Sequence, residues 1–122
     1  MPKIKILYID DEDINLRLFK INLEKKYQIF TAQNGVQGLE ILAQESDIQI
    51  VVSDMRMPYM NGEEFISKAK EIYPNIVYYI LSGFDITDKI QEFIEKGTIK
   101  KHFRKPFNLK EIGLELEKAV SH

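Results

Sequence analysis

The stretch IVVSDMRMPYMNG, Ile50–Gly62, runs from a short apolar segment into an acid and then into a Pro-to-Gly break. Ile48–Val52 is short and rich in β-branched residues, the composition of a strand buried on both faces of a parallel sheet. Asp54 follows it, and Pro58 to Gly62 is turn chemistry. The same order, strand-like run then polar group, recurs along the chain. Ile4–Ile9 leads to Asp10-Asp11, Ile76–Leu81 leads to Ser82, and Ile99–Arg104 leads to Lys105-Pro106. Tyr27–Ala32 is a further run of this kind, and Ile99–Arg104 is more polar, as a sheet edge would be.

Between these runs the apolar residues take helical spacing. Ile14, Leu18 and Ile21 share one face, and Val36, Leu39 and Ala43 another. Phe65, Ala69 and Ile72 follow, then Ile90, Phe93 and Ile94, and finally Leu109, Ile112 and Leu116. Asn34-Gly35, Pro74-Asn75 and Gly97 punctuate the elements, and Asn108 with Glu111 can cap the last helix. The alternation predicts one flavodoxin-like (βα)₅ domain over residues 1–122, a doubly wound parallel sheet with right-handed crossovers. With strand order 2-1-3-4-5, Asp10, Asp11 and Asp54 meet at the point where strand order reverses, the place where ligands bind in open α/β sheets.

Composition narrows the chemistry. The 122 residues are 44% hydrophobic with a formal net charge of −2, which fits a soluble globular domain without broad attraction to nucleic acid or anionic membrane. With no cysteine, thiol catalysis and cysteine-ligated zinc are excluded. The only histidines are His102 and His122, too few for a histidine-rich metal site. The N-terminal MPKIKILYID has no signal-peptide core, and no apolar stretch approaches the roughly 18 residues of a membrane span. A cytoplasmic location is the expectation.

Three carboxylates in one crevice repel each other and raise each other's pKa unless a cation intervenes. Magnesium, a hard ion that takes oxygen ligands, suits them. Asp10-Asp11-Glu12-Asp13 can also cap a helix and complement its dipole, but capping needs only one acid. Asp54 can act as a covalent nucleophile toward phosphorus, which asks mainly for alignment and charge neutralisation. Ser82 can donate a hydrogen bond to a phosphoryl oxygen and Lys105 can neutralise another. Each of these residues alone has an ordinary loop or strand-end explanation; the set does not.

The set DD…D…S…KP on (βα)₅ resembles the receiver domain of two-component response regulators, the CheY-like family. DMRMPYMNG fits the family's D-x-x-M-P-x-x-x-G pattern, and the resemblance covers essentially the whole chain. It implies that Asp54 accepts a phosphoryl group from a phosphohistidine on a sensor histidine kinase or histidine phosphotransfer protein, then loses it to water. It implies Mg²⁺ (with Mn²⁺ able to substitute) on Asp11, Asp54 and the backbone carbonyl of Arg56, with Asp10 holding metal-bound water. Ser82 and Lys105 contact the phosphoryl group, and the Lys105–Pro106 bond is expected to be cis. The implied output is repacking of the face formed by the fourth helical segment (around Ile90, Phe93 and Ile94), the Ile99–Arg104 run and the last helical segment (around Leu109, Ile112 and Leu116) toward an unidentified protein target, as a monomer or a phosphorylation-dependent dimer. No direct contact with nucleic acid or membrane is expected, and no catalysis beyond its own phosphorylation and dephosphorylation.

Three positions depart from the family's usual residues or tune the site. His102 stands at the strand-5 switch position, where Tyr or Phe is common; the alternative is a half-exposed edge histidine. Arg56 and Phe84 flank the expected path of hydrolytic water and are candidates for setting the acyl-phosphate lifetime; surface charge and a loop aromatic are the alternatives. The basic run Lys100-Lys101-His102-Phe103-Arg104 is a solvated charge run, or a surface for an acidic or self-associating partner. A haloacid-dehalogenase-type phosphatase would carry a second Asp where this chain has Arg56. A flavin carrier would need a phosphate loop less acidic than DDEDIN. A constitutive docking module with this fold would tend to have lost one of the five site residues. The sequence reads as a receiver that stands alone or belongs to a longer protein.

Overall fold

In the computed structural model, which describes residues 3–83, 86–106 and 108–120, five strands alternate with five helices. They are β1 (Ile4–Ile9), α1 (Asp13–Leu23), β2 (Tyr27–Ala32), α2 (Gly35–Gln44), β3 (Ile48–Asp54), α3 (Gly62–Ile72), β4 (Val77–Ser82), α4 (Asp88–Glu95), β5 (Lys101–Arg104) and α5 (Leu109–Val120). The sheet runs β2-β1-β3-β4-β5 with every pairing parallel, as the alternation predicts. Among the described residues no helix is long and apolar enough to cross a membrane.

Two boundaries differ from the sequence reading in ways that matter for the site. β3 extends to Asp54, so the acid is the last residue of the central strand and not a loop residue. β5 begins only at Lys101, because the amides of Thr98 and Ile99 are spent on the carbonyl of Phe93 at the end of α4. Lys105–Pro106 is cis.

The sheet separates two apolar layers. One joins Ile6, Tyr8, Val52, Tyr79, Leu81 and Phe103 to α1 and α5; the other joins Leu7, Ile9, Val51 and Ile80 to α2, α3 and α4. Period-2 alternation along each strand deals its residues to the two layers in turn.

The helix faces need three corrections. α1 buries Leu16, Phe19 and Leu23, while Ile14 and Ile21 are each 64% exposed and Leu18 is also exposed. Both triplets have helical spacing, and the face that wins carries Phe19, whose ring stacks on Tyr8 with centroids 4.1 Å apart. α2 buries Gly35, Gly38 and Leu42; Val36 and Ala43 are exposed and Leu39 is half-buried. A Cβ at Gly38 would lie 2.6 Å from Ile9 Cδ1, so the missing side chain is what lets this helix lie close to the sheet. In α3, Phe65 and Ala69 are buried with Ile66, whereas Ile72 is exposed in the last turn. Ile90 and Phe93 of α4, and Ile112 and Leu116 of α5, are buried as their spacing predicts, with Ile94 and Leu109 half-buried beside them.

Candidate functional site

Parallel strands present their C-terminal ends at one edge, and four of the five end there in a polar residue or run straight into one. Ile9 pairs with Ser53, Asp54 with Leu81 and Ser82 with Arg104, so Asp10, Asp54, Ser82 and Lys105 follow one another across neighbouring strands. A crevice of about 280 Å³ opens there, lined by Asp11, Glu12, Asp54, Met55, Arg56, Ser82, Gly83 and Lys105.

Asp54 is 4% exposed. The Met55 backbone N–H donates to its Oδ1 at 2.8 Å, and Lys105 Nζ lies 3.0 Å from its Oδ2. Lys105 also reaches Asp10 Oδ2 at 3.5 Å, so one ammonium serves two carboxylates. Burial and then the charge of Asp10 push the Asp54 carboxyl up to about 6, against the opposing pull of Lys105 and the Met55 amide. For Lys105, burial acts downward, but the hydrogen bond and charge of Asp54, with Asp10 and Glu12 behind it, hold the ammonium above its ordinary range.

Asp10, fully buried, is held differently. Its Oδ2 accepts from the Tyr8 hydroxyl at 2.6 Å and from Asn15 Nδ2 at 3.1 Å, and its Oδ1 accepts from the Glu12 N–H at 2.9 Å. Burial first, then the charge and hydrogen bond of Asp10, drive the Tyr8 hydroxyl far above its ordinary pKa, so it stays protonated and donates to Asp10. Asp11 and Glu12 are exposed, and one carboxylate oxygen from each of Asp10, Asp11 and Glu12 falls within 4.8 Å of the others. The capping alternative for this acidic segment is not realised by the N-cap residue, since Glu12 makes no side-chain cap bond.

The loop after β3 is shaped to bring α3 in close behind Asp54. Tyr59 takes φ 71°, a left-handed turn conformation, and Asn61 caps α3 in a reciprocal box with Glu64. The Gly62 N–H then donates to the Met55 carbonyl at 2.8 Å, and a Cβ on Gly62 would collide with the carbonyl oxygen of Asp54. Only glycine permits that approach. Asn108 caps α5 through the amides of Lys110 and Glu111.

All five residues expected at the site converge on this crevice: Asp10, Asp11, Asp54, Ser82 (1% exposed) and Lys105. Arg56 is exposed on its rim. Phe84 lies outside the described residues. His102 sits on β5 opposite Ile80, half-buried, and its Nε2 is enclosed without a hydrogen-bond partner among the described residues. Burial and then the Arg104 charge hold this imidazole below its ordinary pKa. The basic run around it is split by the strand, with Lys101 and Arg104 exposed and Phe103 buried. Sequence reasoning missed Tyr8 and Asn15 as partners of Asp10. Strand alternation, which puts residues 8 and 10 on one face, was the available signal for Tyr8.

A doubly wound parallel sheet with buried acids and a lysine at its C-terminal edge defines a phosphate-handling α/β domain. The chain belongs to the response regulator receiver domain family, whose model matches residues 6–117. It is 38% identical over 113 residues to Sporulation initiation phosphotransferase F of Bacillus subtilis, covering 92% of this chain and 90% of that protein. Among solved structures it superposes on a signal receiver domain of an HD domain-containing protein from Pseudomonas fluorescens with TM-score 0.90 at 26% identity, covering 98% and 96% of the two chains. A response regulator receiver domain protein from Clostridium thermocellum superposes with TM-score 0.88 at 29% identity, covering 97% and 94%. Further curated relatives include longer proteins of which the chain spans 21% to 46%. The phosphatase, flavin-carrier and docking-module readings are not favoured.

Proposed function

We propose that Asp54 is the residue on which this receiver domain accepts a phosphoryl group from the phosphohistidine of a sensor histidine kinase or histidine phosphotransfer protein. The observation that carries this reading is Asp54 itself, buried at the end of the central strand, with Lys105 at 3.0 Å and a crevice open beside it. A carboxylate oxygen of Asp54 attacks phosphorus as the bond to the imidazole nitrogen breaks, and the bonding pair leaves with the imidazole. Lys105 turns from its carboxylate partners to the phosphoryl oxygens, and the Ser82 hydroxyl donates to another of them. Water later attacks phosphorus, inorganic phosphate departs, and the Asp54 carboxylate is restored.

The donor set fits a magnesium ion: its side-chain donors are all carboxylate oxygens, and the Asp10 charge that adds to burial in raising Asp54 is what a divalent cation offsets. Asp10, Asp11, Asp54 and the backbone carbonyl of Arg56 would hold it, and Mg²⁺ or Mn²⁺ supplies charge neutralisation for the approaching phosphoryl dianion. The domain catalyses only its own phosphorylation and dephosphorylation. Arg56, on the rim, tunes how long the acyl phosphate survives.

The exposed apolar face of α1, Ile14, Leu18 and Ile21, lies on the helix that leaves the site and is the surface we assign to the phosphodonor protein. On the output side His102 is the switch residue, poised between β5 and the α2–α4 layer, and its movement alters the α4-β5-α5 face seen by a downstream protein. The domain works in the cytoplasm, without contacting nucleic acid or membrane itself, as a monomer or as a dimer formed on phosphorylation. The test is incubation with Mg²⁺ and acetyl phosphate followed by intact mass. Wild type gains one phosphoryl group and Asp54→Asn gains none; equal incorporation in both would overturn the reading.

A further inference from the structure

We propose that Tyr8 is a positioning residue for the metal-binding half of the site, its hydroxyl fixing the Asp10 carboxylate together with Asn15. The proposal rests on the reading that Asp10 belongs to a magnesium site.

Tyr8 is fully buried in the layer under α1 and α5, where an apolar side chain would serve the packing. What tyrosine adds is one oxygen, and that oxygen is placed 2.6 Å from Asp10 Oδ2. Strand alternation sends residues 8 and 10 to the same face, and the stack on Phe19, at 4.1 Å and 14° between ring planes, fixes where the hydroxyl points. Phe19 lies on α1, and so does Asn15, the second donor to the same oxygen. The Glu12 amide takes the other oxygen. Donors from β1, from the turn and from α1 therefore hold a single carboxylate, which cannot rotate without breaking a buried hydroxyl's bond to it. Outer donors of this kind orient ligand groups, and their loss typically weakens metal binding by about 10- to 100-fold.

Tyr8→Phe keeps the ring and the stack and removes only the oxygen. In Mg²⁺ titrations of the metal-free protein followed by backbone amide chemical shifts, we expect it to weaken Mg²⁺ binding by about tenfold, the lower end of that range. Asn15→Ala should act in the same direction more weakly, and it serves as the second variant should Tyr8→Phe fold poorly. The decisive comparison is made in an Asp10→Asn background. If Tyr8 acts through Asp10, adding Tyr8→Phe there changes Mg²⁺ affinity little, whereas a merely structural role would give the same loss in both backgrounds. Unchanged or tighter Mg²⁺ binding in Tyr8→Phe, or equal losses in the two backgrounds, would overturn the inference and leave the phosphoacceptor reading standing. Wild-type protein whose Asp11 and Asp54 amides do not respond to Mg²⁺ would overturn both.

Discussion

The ends of β1 and β3 each carry a buried carboxylate, and the two are held in opposite ways. Asp10 is tied by the Tyr8 hydroxyl, the Asn15 amide and a backbone N–H, with Lys105 at 3.5 Å. Asp54 takes one backbone N–H and Lys105, and its carboxyl is pushed up to about 6 by burial and by Asp10. The first arrangement fixes an acid in place. The second keeps an acid buried, strained by like charge and facing the crevice, which is what a residue that must react requires.

This contrast can be broken at several points. The largest effect falls on the support of the β1 end. Phe19→Ala should cost roughly 3–5 kcal/mol in chemical denaturation, as large aromatic truncations in a packed core do. Ile21→Ser, on the exposed face of the same helix, should change stability by less than about 0.5 kcal/mol. Equal costs would mean that α1 packs by its other face.

Asp54→Asn should next raise the stability of metal-free protein at neutral pH. Its folded pKa, about 6, lies above the ordinary aspartate value of 3.8. The folded state therefore favours the protonated form, and that contribution is full below about pH 4 and lost as pH rises through about 6. A rise of that size corresponds to about 3 kcal/mol at most, less what Lys105 loses as its partner goes. Denaturation of wild type and variant across pH 4 to 7 measures it, and a variant less stable than wild type at pH 7 would contradict the account.

Asp10→Ala should move stability the other way, by roughly 1–3 kcal/mol, because the buried Tyr8 hydroxyl loses this acceptor. If removing Asp10 also stabilised the metal-free protein, the two carboxylates would not differ as described. The smallest effect concerns His102, whose folded pKa is lowered. Its contribution is present above the ordinary histidine pKa and lost as pH falls through the folded one. His102→Tyr should remove a shallow decline of stability below about pH 6.5, seen by thermal denaturation at stepped pH.

How much of this was legible in the sequence follows from the period of each element. Strand ends were readable because alternation and β-branched runs are local signals, so Asp10, Asp54, Ser82 and Lys105 could be placed from the sequence alone. The faces of α1 and α2 were not. In α1, Ile14-Leu18-Ile21 and Leu16-Phe19-Leu23 are both apolar at helical spacing, and only the partner of Phe19 decides between them. In α2 the buried face joins Leu42 to Gly35 and Gly38, and the value of the two glycines is the absence of a side chain, which no hydrophobicity pattern records. Ile99 looks like strand yet lies outside β5, because the turn after α4 takes its amide; pairing with β4 is first met at the Lys100 N–H, which donates to the Tyr78 carbonyl. Tyr8 reads as one more core aromatic until its hydroxyl is seen to have a buried acceptor.

The most direct measurement is chemical trapping of the acyl phosphate. After phosphorylation with acetyl phosphate and Mg²⁺, borohydride reduction converts an aspartyl phosphate to homoserine, and peptide mass spectrometry locates it. The account predicts homoserine at position 54 and nowhere else; homoserine at position 10 or 11, or none at 54, would contradict it.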